Sequence, residues 1–244
     1  MNKVFFSIII PTLNEEKYLP RLLKSLRKQT YQNMEIIVVD GGSEDKTVEA
    51  VMSFDKDLSA FLYNSKIRNV SVQRNLGAQK AVGKYLVFFD ADVWIDADFL
   101  EKLFNHLEKR PVSYASTRFV PETSSWVEKI APFFFNCIFV IITKLGWPFM
   151  TGQNLIMDKE VFSHIGGFDA SVYIAEDFEI VQRARRKGYK GVIYWDLKHY
   201  FVHRRLAREG WLKMSIIAFL IGFHVLFFGP IKKPLFEYKM GGKV

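Results

Sequence analysis

The chain has 244 residues, 49% of them hydrophobic, and this composition excludes an intrinsically disordered protein because it supplies enough apolar surface for a core. A single cysteine, Cys137, excludes an intrachain disulfide. The formal net charge of +8 equals the local surplus between Arg183 and Lys213, where ten Lys or Arg residues accompany two acids. Such a patch suits nucleic acid, an anionic membrane or a phosphorylated substrate, and composition alone does not choose among them.

The first half of the sequence predicts alternating strands and helices. Apolar runs predict strands at 4–10, 35–39, 60–63 and 85–89. Helical spacing of apolar residues predicts helices at 16–29, 47–52, 72–82 and 97–109, the last capped by Asp96. This order predicts an α/β fold with a mostly parallel central sheet and helices on both faces, whose ligands bind beyond the carboxyl ends of the strands.

The second half is less regular. Strands are predicted at 113–120, 154–157, 191–195 and 199–203, and a helix at 176–187. The aromatic stretch 130–143 contains Pro132, which argues against one straight helix, and its aromatic residues suit a membrane interface or, alternatively, a buried core. We predict a catalytic domain over residues 1–210, followed by an apolar helix and a basic tail over 211–244.

Two acids, Asp90 and Asp92, follow the predicted strand 85–89 directly. Carboxylates this close repel each other unless a positive charge lies between them. A hard divalent cation bound by oxygen ligands would supply that charge. The alternative is that both acids accept hydrogen bonds in a turn or a helix cap.

Four ordered blocks of sequence carry a family resemblance. They are PTLNEE at 11–16, VVDGGSEDKT at 38–47, RNLGAQKAVGKYLVFFDAD at 74–92, and GGFD followed by AEDFEIVQRARRKGY at 175–189. Over roughly residues 4–205 the chain resembles the family 2 glycosyltransferases. The resemblance implies a GT-A fold and an inverting transfer of sugar from a nucleotide diphosphate sugar, without a covalent enzyme intermediate.

The resemblance also implies a donor site. Its predicted residues are Pro11, Thr12, Glu15, Asp40, Arg74, Asp90 and Asp92. Asp40 would accept a hydrogen bond from a pyrimidine imide N–H, which favours a UDP-sugar, although Asp40 also suits the start of the Gly41–Gly42 turn. Arg74 would approach the nucleotide or its phosphates, and its alternative is a solvated position on a helix.

A divalent cation, Mn²⁺ or Mg²⁺, belongs to the same implied site, where it would bridge the diphosphate. Asp92 is its predicted ligand. His203 is a further candidate ligand, with an ordinary surface position as the alternative. Arg204 and Arg205 would bind phosphate groups of the donor or of an anionic acceptor.

Catalysis requires a base that deprotonates the acceptor hydroxyl as it attacks. The resemblance assigns this role to Asp177, and Glu176 and Gln153 are the predicted acceptor contacts. Acids in a first helical turn are also favoured by the helix dipole and by capping, so a purely structural role is the alternative for Asp177.

The segment Met214–Ile231 has eighteen residues without a formal charge at neutral His224. As a helix it would be about 27 Å long, which suits a spanning, an interfacial or a soluble core helix. Together with the basic patch it predicts a protein of the cell membrane, peripheral or single-pass, with the catalytic domain on the cytoplasmic side and a lipid-linked acceptor.

Three functions remain open from the sequence. The first is transfer of a sugar to a hydroxyl of a lipid-linked acceptor or glycolipid. The second is a polyprenyl-phosphate glycosyltransferase using GDP-mannose or UDP-glucose. The third, from a different class, is a non-catalytic membrane or nucleic-acid binding module, against which the acids count because they oppose binding of a polyanion. We therefore predict no nucleic-acid partner.

Overall fold

The computed structural model describes residues 4–54, 60–123, 125–202, 217, 220, 221, 223–225 and 228–233. The strands are β1 (Phe6–Thr12), β2 (Met34–Asp40), β3 (Ala60–Asn64), β4 (Tyr85–Phe89), β5 (Val93–Ile95), β6 (Tyr114–Pro121), β7 (Asn154–Asp158) and β8 (Gly191–Phe201). The helices are α1 (Leu19–Arg27), α2 (Thr47–Phe54), α3 (Val70–Lys80), α4 (Phe99–Lys109), α5 (Trp126–Lys144), α6 (Lys159–Ile165) and α7 (Glu176–Arg186).

These strands form one sheet in the order β3-β2-β1-β4-β7-β6-β8-β5. The pairs among β3, β2, β1 and β4 are parallel, as is β6 with β8. Strand β7 runs antiparallel to both β4 and β6, and β5 runs antiparallel to β8. The sheet is therefore mixed: the parallel pairing predicted for the first half is confirmed, and the antiparallel pairs made by β7 and β5 were not predicted.

The core lies on both faces of the sheet. Strands β1, β2 and β4 are buried along their whole length, which explains their continuous apolar runs. Ile8 and Ile10 pack on one face with α1 and α4, whereas Ile9 packs on the other with α3, α6 and α7. This alternation follows from the two-residue period of side chains along a strand.

The predicted strand and helix units of the first half are confirmed, with boundaries shifted by a few residues. The N-cap residue of α4 is Asp98, and its side chain makes no cap hydrogen bond. The prediction that Asp96 caps this helix is therefore wrong. Strand β5 was not predicted. The two strands predicted at 191–195 and 199–203 are one strand, β8, interrupted by a register shift opposite Thr117 and Arg118.

Helix α5 contains the aromatic stretch 130–143, in which Pro132 led the sequence to disfavour one straight helix. The helix runs through Pro132 without ending. Its buried Asn136 donates from Nδ2 to the carbonyl oxygens of Pro132 and Phe119, both at 2.8 Å, and accepts the Phe119 N–H at 3.1 Å. The side chain of Asn136 thus fixes the helix to β6, and it also bonds to the carbonyl group one turn earlier in its own helix.

Part of the C-terminal segment packs beside α7. Val225 and Ile231 are buried against Ile174 and Phe178, and the Tyr173 N–H donates to the Ile231 carbonyl at 2.8 Å. In the part of the chain that the structure describes, no helix is both long enough and apolar enough to cross a membrane. Most of the predicted helix Met214–Ile231, and the predicted boundary at residue 210, lie outside the described residues.

Candidate active site

The ends of β1 and β2 meet at one edge of the sheet, where Thr12 is paired with Asp40. Asp40 Oδ1 accepts from the hydroxyls of Thr12 and Ser43, and Oδ2 accepts from the N–H groups of Gly42 and Ser43 at 2.9 and 2.8 Å. A carboxylate has about four lone-pair sites, so the turn already fills them. A nucleotide base would have to replace one of the hydroxyls.

Gln73 holds this edge together, although the sequence did not single it out. Its buried Nε2 donates to the carbonyl oxygens of Thr12 at 2.8 Å and Val39 at 2.7 Å. No local pattern identifies a glutamine with this role. The neighbouring donor-site predictions, Pro11 and Glu15, are also buried, and the Glu15 N–H donates to Thr47 Oγ1 at 2.7 Å.

Arg74 is the next residue on α3 and joins two parts of the chain. Its side chain is only 2% exposed. Nη2 lies 2.8 Å from Asp90 Oδ1, beyond β4, and Nη1 lies 2.7 Å from Glu176 Oε1, at the start of α7. The positive charge beside Asp90 that the sequence led us to expect from a metal is therefore supplied, in this structure, by a buried guanidinium.

The loop before β7 runs between these acids. The Gly152 carbonyl accepts from Arg74 Nη2 at 3.3 Å, the Gly152 N–H donates to Asp177 Oδ2, and the Gln153 carbonyl accepts from the Asp90 N–H at 3.4 Å. A Cβ atom at position 152 would lie 2.9 Å from Arg74 Nη2 and 3.2 Å from Asp177 Oδ2. Glycine is therefore required for this close approach of the backbone.

Asp177 lies in the first turn of α7, after Ala175 in the left-handed conformation (φ 65°, ψ 38°). This conformation is costly for a residue with a Cβ atom, and such strain concentrates at functional sites. Asp177 Oδ1 accepts from the Phe178 N–H at 2.8 Å. The helix start thus orients the carboxyl group towards Gly152.

Two of the acids that contact the loop or Arg74, Asp177 and Asp90, have perturbed pKa values. Burial and the negative charge of Glu176 raise the pKa of Asp177 to about 7, against the opposing positive charge of Arg74. Burial likewise raises the pKa of Asp90 to about 6. The positive charge of Arg74 opposes this shift, and the negative charges of Asp92 and Glu176 add to it. A carboxyl group that titrates near neutral pH suits general base catalysis.

Asp92 lies half-buried in the turn between β4 and β5. Across the described parts of the chain, no three His, Cys, Asp or Glu side chains form a group that could hold a metal ion. One carboxylate with the phosphate oxygens of a substrate is nevertheless a common ligand set for Mg²⁺, and Asp92 fits that chemistry. The predicted residues His203, Arg204 and Arg205 lie outside the described residues.

The structure thus brings Arg74, Asp90, Glu176 and Asp177 together with Gly152 and Gln153, and Asp92 lies close enough to act on the charge of Asp90. Thr12 and Asp40 form the neighbouring edge of the sheet. Helix α3 connects this edge to the acids, because Gln73 bonds to the Thr12 carbonyl and Arg74 bonds to Asp90 and Glu176.

Residues 7–166, more than half of the chain, match the model of a protein family described as glycosyl transferase family 2. A glycosyltransferase of Haemophilus influenzae is 39% identical over 122 residues, which cover 47% of this chain and 49% of that protein. The chain thus spans about half the length of this relative. The Escherichia coli UDP-Glc:alpha-D-GlcNAc-diphosphoundecaprenol beta-1,3-glucosyltransferase WfgD is 26% identical over 268 aligned positions, which cover 100% of both chains.

Solved structures show the same fold. TarS of S. aureus in complex with UDP-GlcNAc superposes with a TM-score of 0.70 at 20% identity, over 82% of this chain and 59% of that one. The mannosyltransferase PcManGT of Pyrobaculum calidifontis, in complex with GDP-Man and Mn²⁺, superposes with a TM-score of 0.68 at 24% identity, over 80% of this chain and 56% of that one. The GT-A-like α/β fold that the sequence predicts is confirmed.

Proposed function

Because the chain belongs to glycosyl transferase family 2, we propose that it is an inverting glycosyltransferase that moves a hexose from a nucleotide diphosphate sugar, preferably a UDP-sugar, to a lipid-linked acceptor. The name of WfgD specifies UDP-Glc and a diphosphoundecaprenol-linked acceptor, and this relative matches the whole chain. TarS binds UDP-GlcNAc. The proposal includes attachment to the cytoplasmic face of the cell membrane, peripherally or by one span.

One observation carries the proposal: Arg74 joins Asp90, at the end of β4, to Glu176, beside Asp177. Ligands of such sheets bind beyond the carboxyl ends of the parallel strands, where Asp40, Asp90 and Asp92 lie. The helix α7 presents Asp177 to the same region. A donor site and a base for the acceptor are thereby held at a fixed separation by one buried ion-pair network.

Asp177 is the proposed base. At neutral pH a carboxyl group with a pKa of about 7 is present in both forms, so it can take a proton from the acceptor hydroxyl and release it afterwards. Its hydrogen bond from Gly152 fixes the direction of the carboxyl group. This role favours a hydroxyl acceptor over a polyprenyl phosphate, because a phosphate oxygen attacks without needing a base.

The donor would lie along the edge formed by Pro11, Thr12, Glu15 and Asp40. A uracil N–H that reaches Asp40 would replace the hydroxyl of Ser43 or Thr12 on Oδ1. A divalent cation, Mn²⁺ or Mg²⁺, held by Asp92 would bridge the diphosphate and stabilise the leaving nucleotide. Glu176 and Gln153 remain the proposed acceptor contacts, and His203, Arg204 and Arg205 remain predictions for metal and phosphate binding.

Titration calorimetry with UDP and with GDP, in the presence and absence of Mn²⁺, tests the donor site. We expect UDP to bind only with the metal, and Asp92→Ala to abolish that binding. Asp98→Ala, which removes an exposed acid just before α4 and outside this acid cluster, is the matched control and should bind UDP normally.

Preferential binding of GDP would instead favour the polyprenyl-phosphate alternative with GDP-mannose, the nucleotide sugar that PcManGT binds. Absence of nucleotide binding with metal present would contradict the proposed enzyme. Binding of UDP by Asp92→Ala as tight as that of the unmodified protein would contradict the role of Asp92.

A further inference from the structure

Helix α5 has one apolar face that the described part of the chain leaves exposed. The large apolar residues of this face recur at helical spacing and are between 41% and 73% exposed. They are Trp126, Ile130, Phe133, Phe134, Ile138 and Ile141, with Leu145 just beyond the helix end. At about 1.5 Å per residue the helix is about 28 Å long, and between Lys129 and Lys144 it carries no charged residue. An exposed apolar surface of this extent indicates an interaction site.

Cationic side chains border this α5 face. A groove of about 330 Å³ separates its N-terminal half from β6, and the charged residues among those that line it are Arg118 and Lys129. Arg118 lies over Trp195, and its buried Nε donates to no acceptor among the described residues. At the other end, the Arg185 guanidinium lies 4.1 Å from the centre of the exposed Trp147 ring.

Packed aromatic rings lead from the inner side of α5 to the residue that follows the candidate base. Phe139 lies 4.4 Å from Phe149 between ring centres, and Phe149 lies 4.8 Å from Phe178, the residue after Asp177. Packed aromatic rings therefore connect α5 to the first turn of α7, which carries the acids Glu176 and Asp177. Whatever the exposed face contacts is held close to the acceptor side of the site.

We infer that the exposed α5 face binds the surface of an anionic lipid bilayer, with α5 lying in the interface plane. Exposed tryptophan and phenylalanine rings beside Lys and Arg are the composition of helices that insert their apolar face between headgroups. The bordering cations match the negative charge of such a surface. The inference rests on the proposed function, because a lipid-linked acceptor lies in that bilayer and α5 would hold the site next to it.

Sedimentation of the full chain with vesicles tests this inference. Vesicles with about 30% phosphatidylglycerol should bind the protein, more salt should weaken the binding, and pure phosphatidylcholine should bind it less. The double variant Phe134→Gln/Ile141→Gln should bind at least about tenfold more weakly. Its matched control, Met52→Gln/Ile67→Gln, removes equally exposed apolar residues elsewhere and should bind like the unmodified protein.

A second measurement does not depend on the folding of a variant. Lipids with brominated acyl chains should quench the tryptophan fluorescence of the unmodified protein, and Trp126→Phe/Trp147→Phe should lower the quenched fraction. Absence of quenching, or unchanged vesicle binding of the Phe134→Gln/Ile141→Gln variant, would overturn the inference. So would light scattering that shows a dimer which this variant abolishes, since a second copy would then cover the face.

Failure of the inference and failure of the proposed function give different results. Asp177→Asn should lose transfer yet bind vesicles normally. Vesicle binding through α5 without any sugar transfer would contradict the function alone. Sugar transfer by a protein whose α5 variant binds vesicles unchanged would contradict the inference alone.

Discussion

Replacing Asp177 by Asn tests two consequences of the raised pKa of this carboxyl group: its proposed role as a base and its effect on how stability depends on pH. The change keeps the size of the side chain and the acceptor for the Gly152 N–H, but it removes the proposed proton acceptor of the reaction. We expect transfer to a hydroxyl acceptor to fall by about 10²- to 10⁴-fold, the usual contribution of a general base. Donor binding should change little, because the role proposed for Asp177 concerns the acceptor.

The same substitution should alter how stability depends on pH. The pKa of Asp177 rises from 3.8 to about 7 on folding. Between these values the folded protein holds a proton that the unfolded chain has lost, so the free energy of unfolding decreases as pH rises through this window. The full shift corresponds to about 4 kcal/mol, and solvent screening of the half-buried group reduces this to about 2 kcal/mol.

Asparagine has no such proton, so the variant should escape this loss of stability. It loses the hydrogen bond from the Phe178 N–H, which costs about 1 kcal/mol at every pH. The difference in unfolding free energy, variant minus unmodified protein, should therefore increase by about 1 to 2 kcal/mol between about pH 5 and pH 8. The trend with pH, rather than the absolute difference, is the diagnostic quantity.

Urea unfolding at a series of pH values in the presence of EDTA measures this difference. Glu108→Gln, which changes an exposed acid on α4, is the control and should leave the pH dependence unaltered. In parallel, kcat/KM of the unmodified enzyme should rise about tenfold per pH unit below pH 7 and level off above it. A variant that retains full transfer, or a stability difference that does not change with pH, would refute the reasoning.

Further predictions concern the groups around this base. Arg74→Lys should destabilise the protein by about 3 kcal/mol in urea unfolding, because an ammonium cannot reach Asp90 and Glu176 together; a loss below about 1 kcal/mol would contradict this. Gly152→Ala should reduce transfer by about tenfold or more and lower the melting temperature, since the added methyl lies against Arg74, and an unchanged kcat would show that the loop can move. Gln73→Leu should weaken UDP binding in calorimetry without abolishing folding, as the strand ends lose two hydrogen bonds worth about 1 kcal/mol each.

The first half of the fold could be predicted because its signals are local. In the sequence, a parallel strand that is buried on both faces has a continuous apolar run, as β1, β2 and β4 do. Strand β5 has three residues and carries no comparable pattern. The bonds from Asn136 of helix α5 to β6 come from tertiary packing, so the sequence around Pro132 could not show how this helix is held.

The candidate site was only partly predictable, for a similar reason. Its acids were identified by their positions in ordered blocks of sequence, and these assignments remain predictions. Their partner Arg74 lies 16 positions before Asp90 and 102 before Glu176, so no local pattern links the three. Gly152 and Gln73 also act through contacts that only the folded chain brings together.

Three carboxyl groups, those of Asp90, Glu176 and Asp177, act on the single charge of Arg74. The pKa values of Asp90 and Asp177 are raised to about 6 and about 7, so the free protein holds protons on these two acids near neutral pH. A cation held by Asp92, beside Asp90, would favour the ionised form of Asp90 and displace its proton, so the heat of cation binding would include the ionisation of the surrounding buffer. Under the proposed mechanism, cation binding would thus release protons to water before Asp177 takes one from the acceptor.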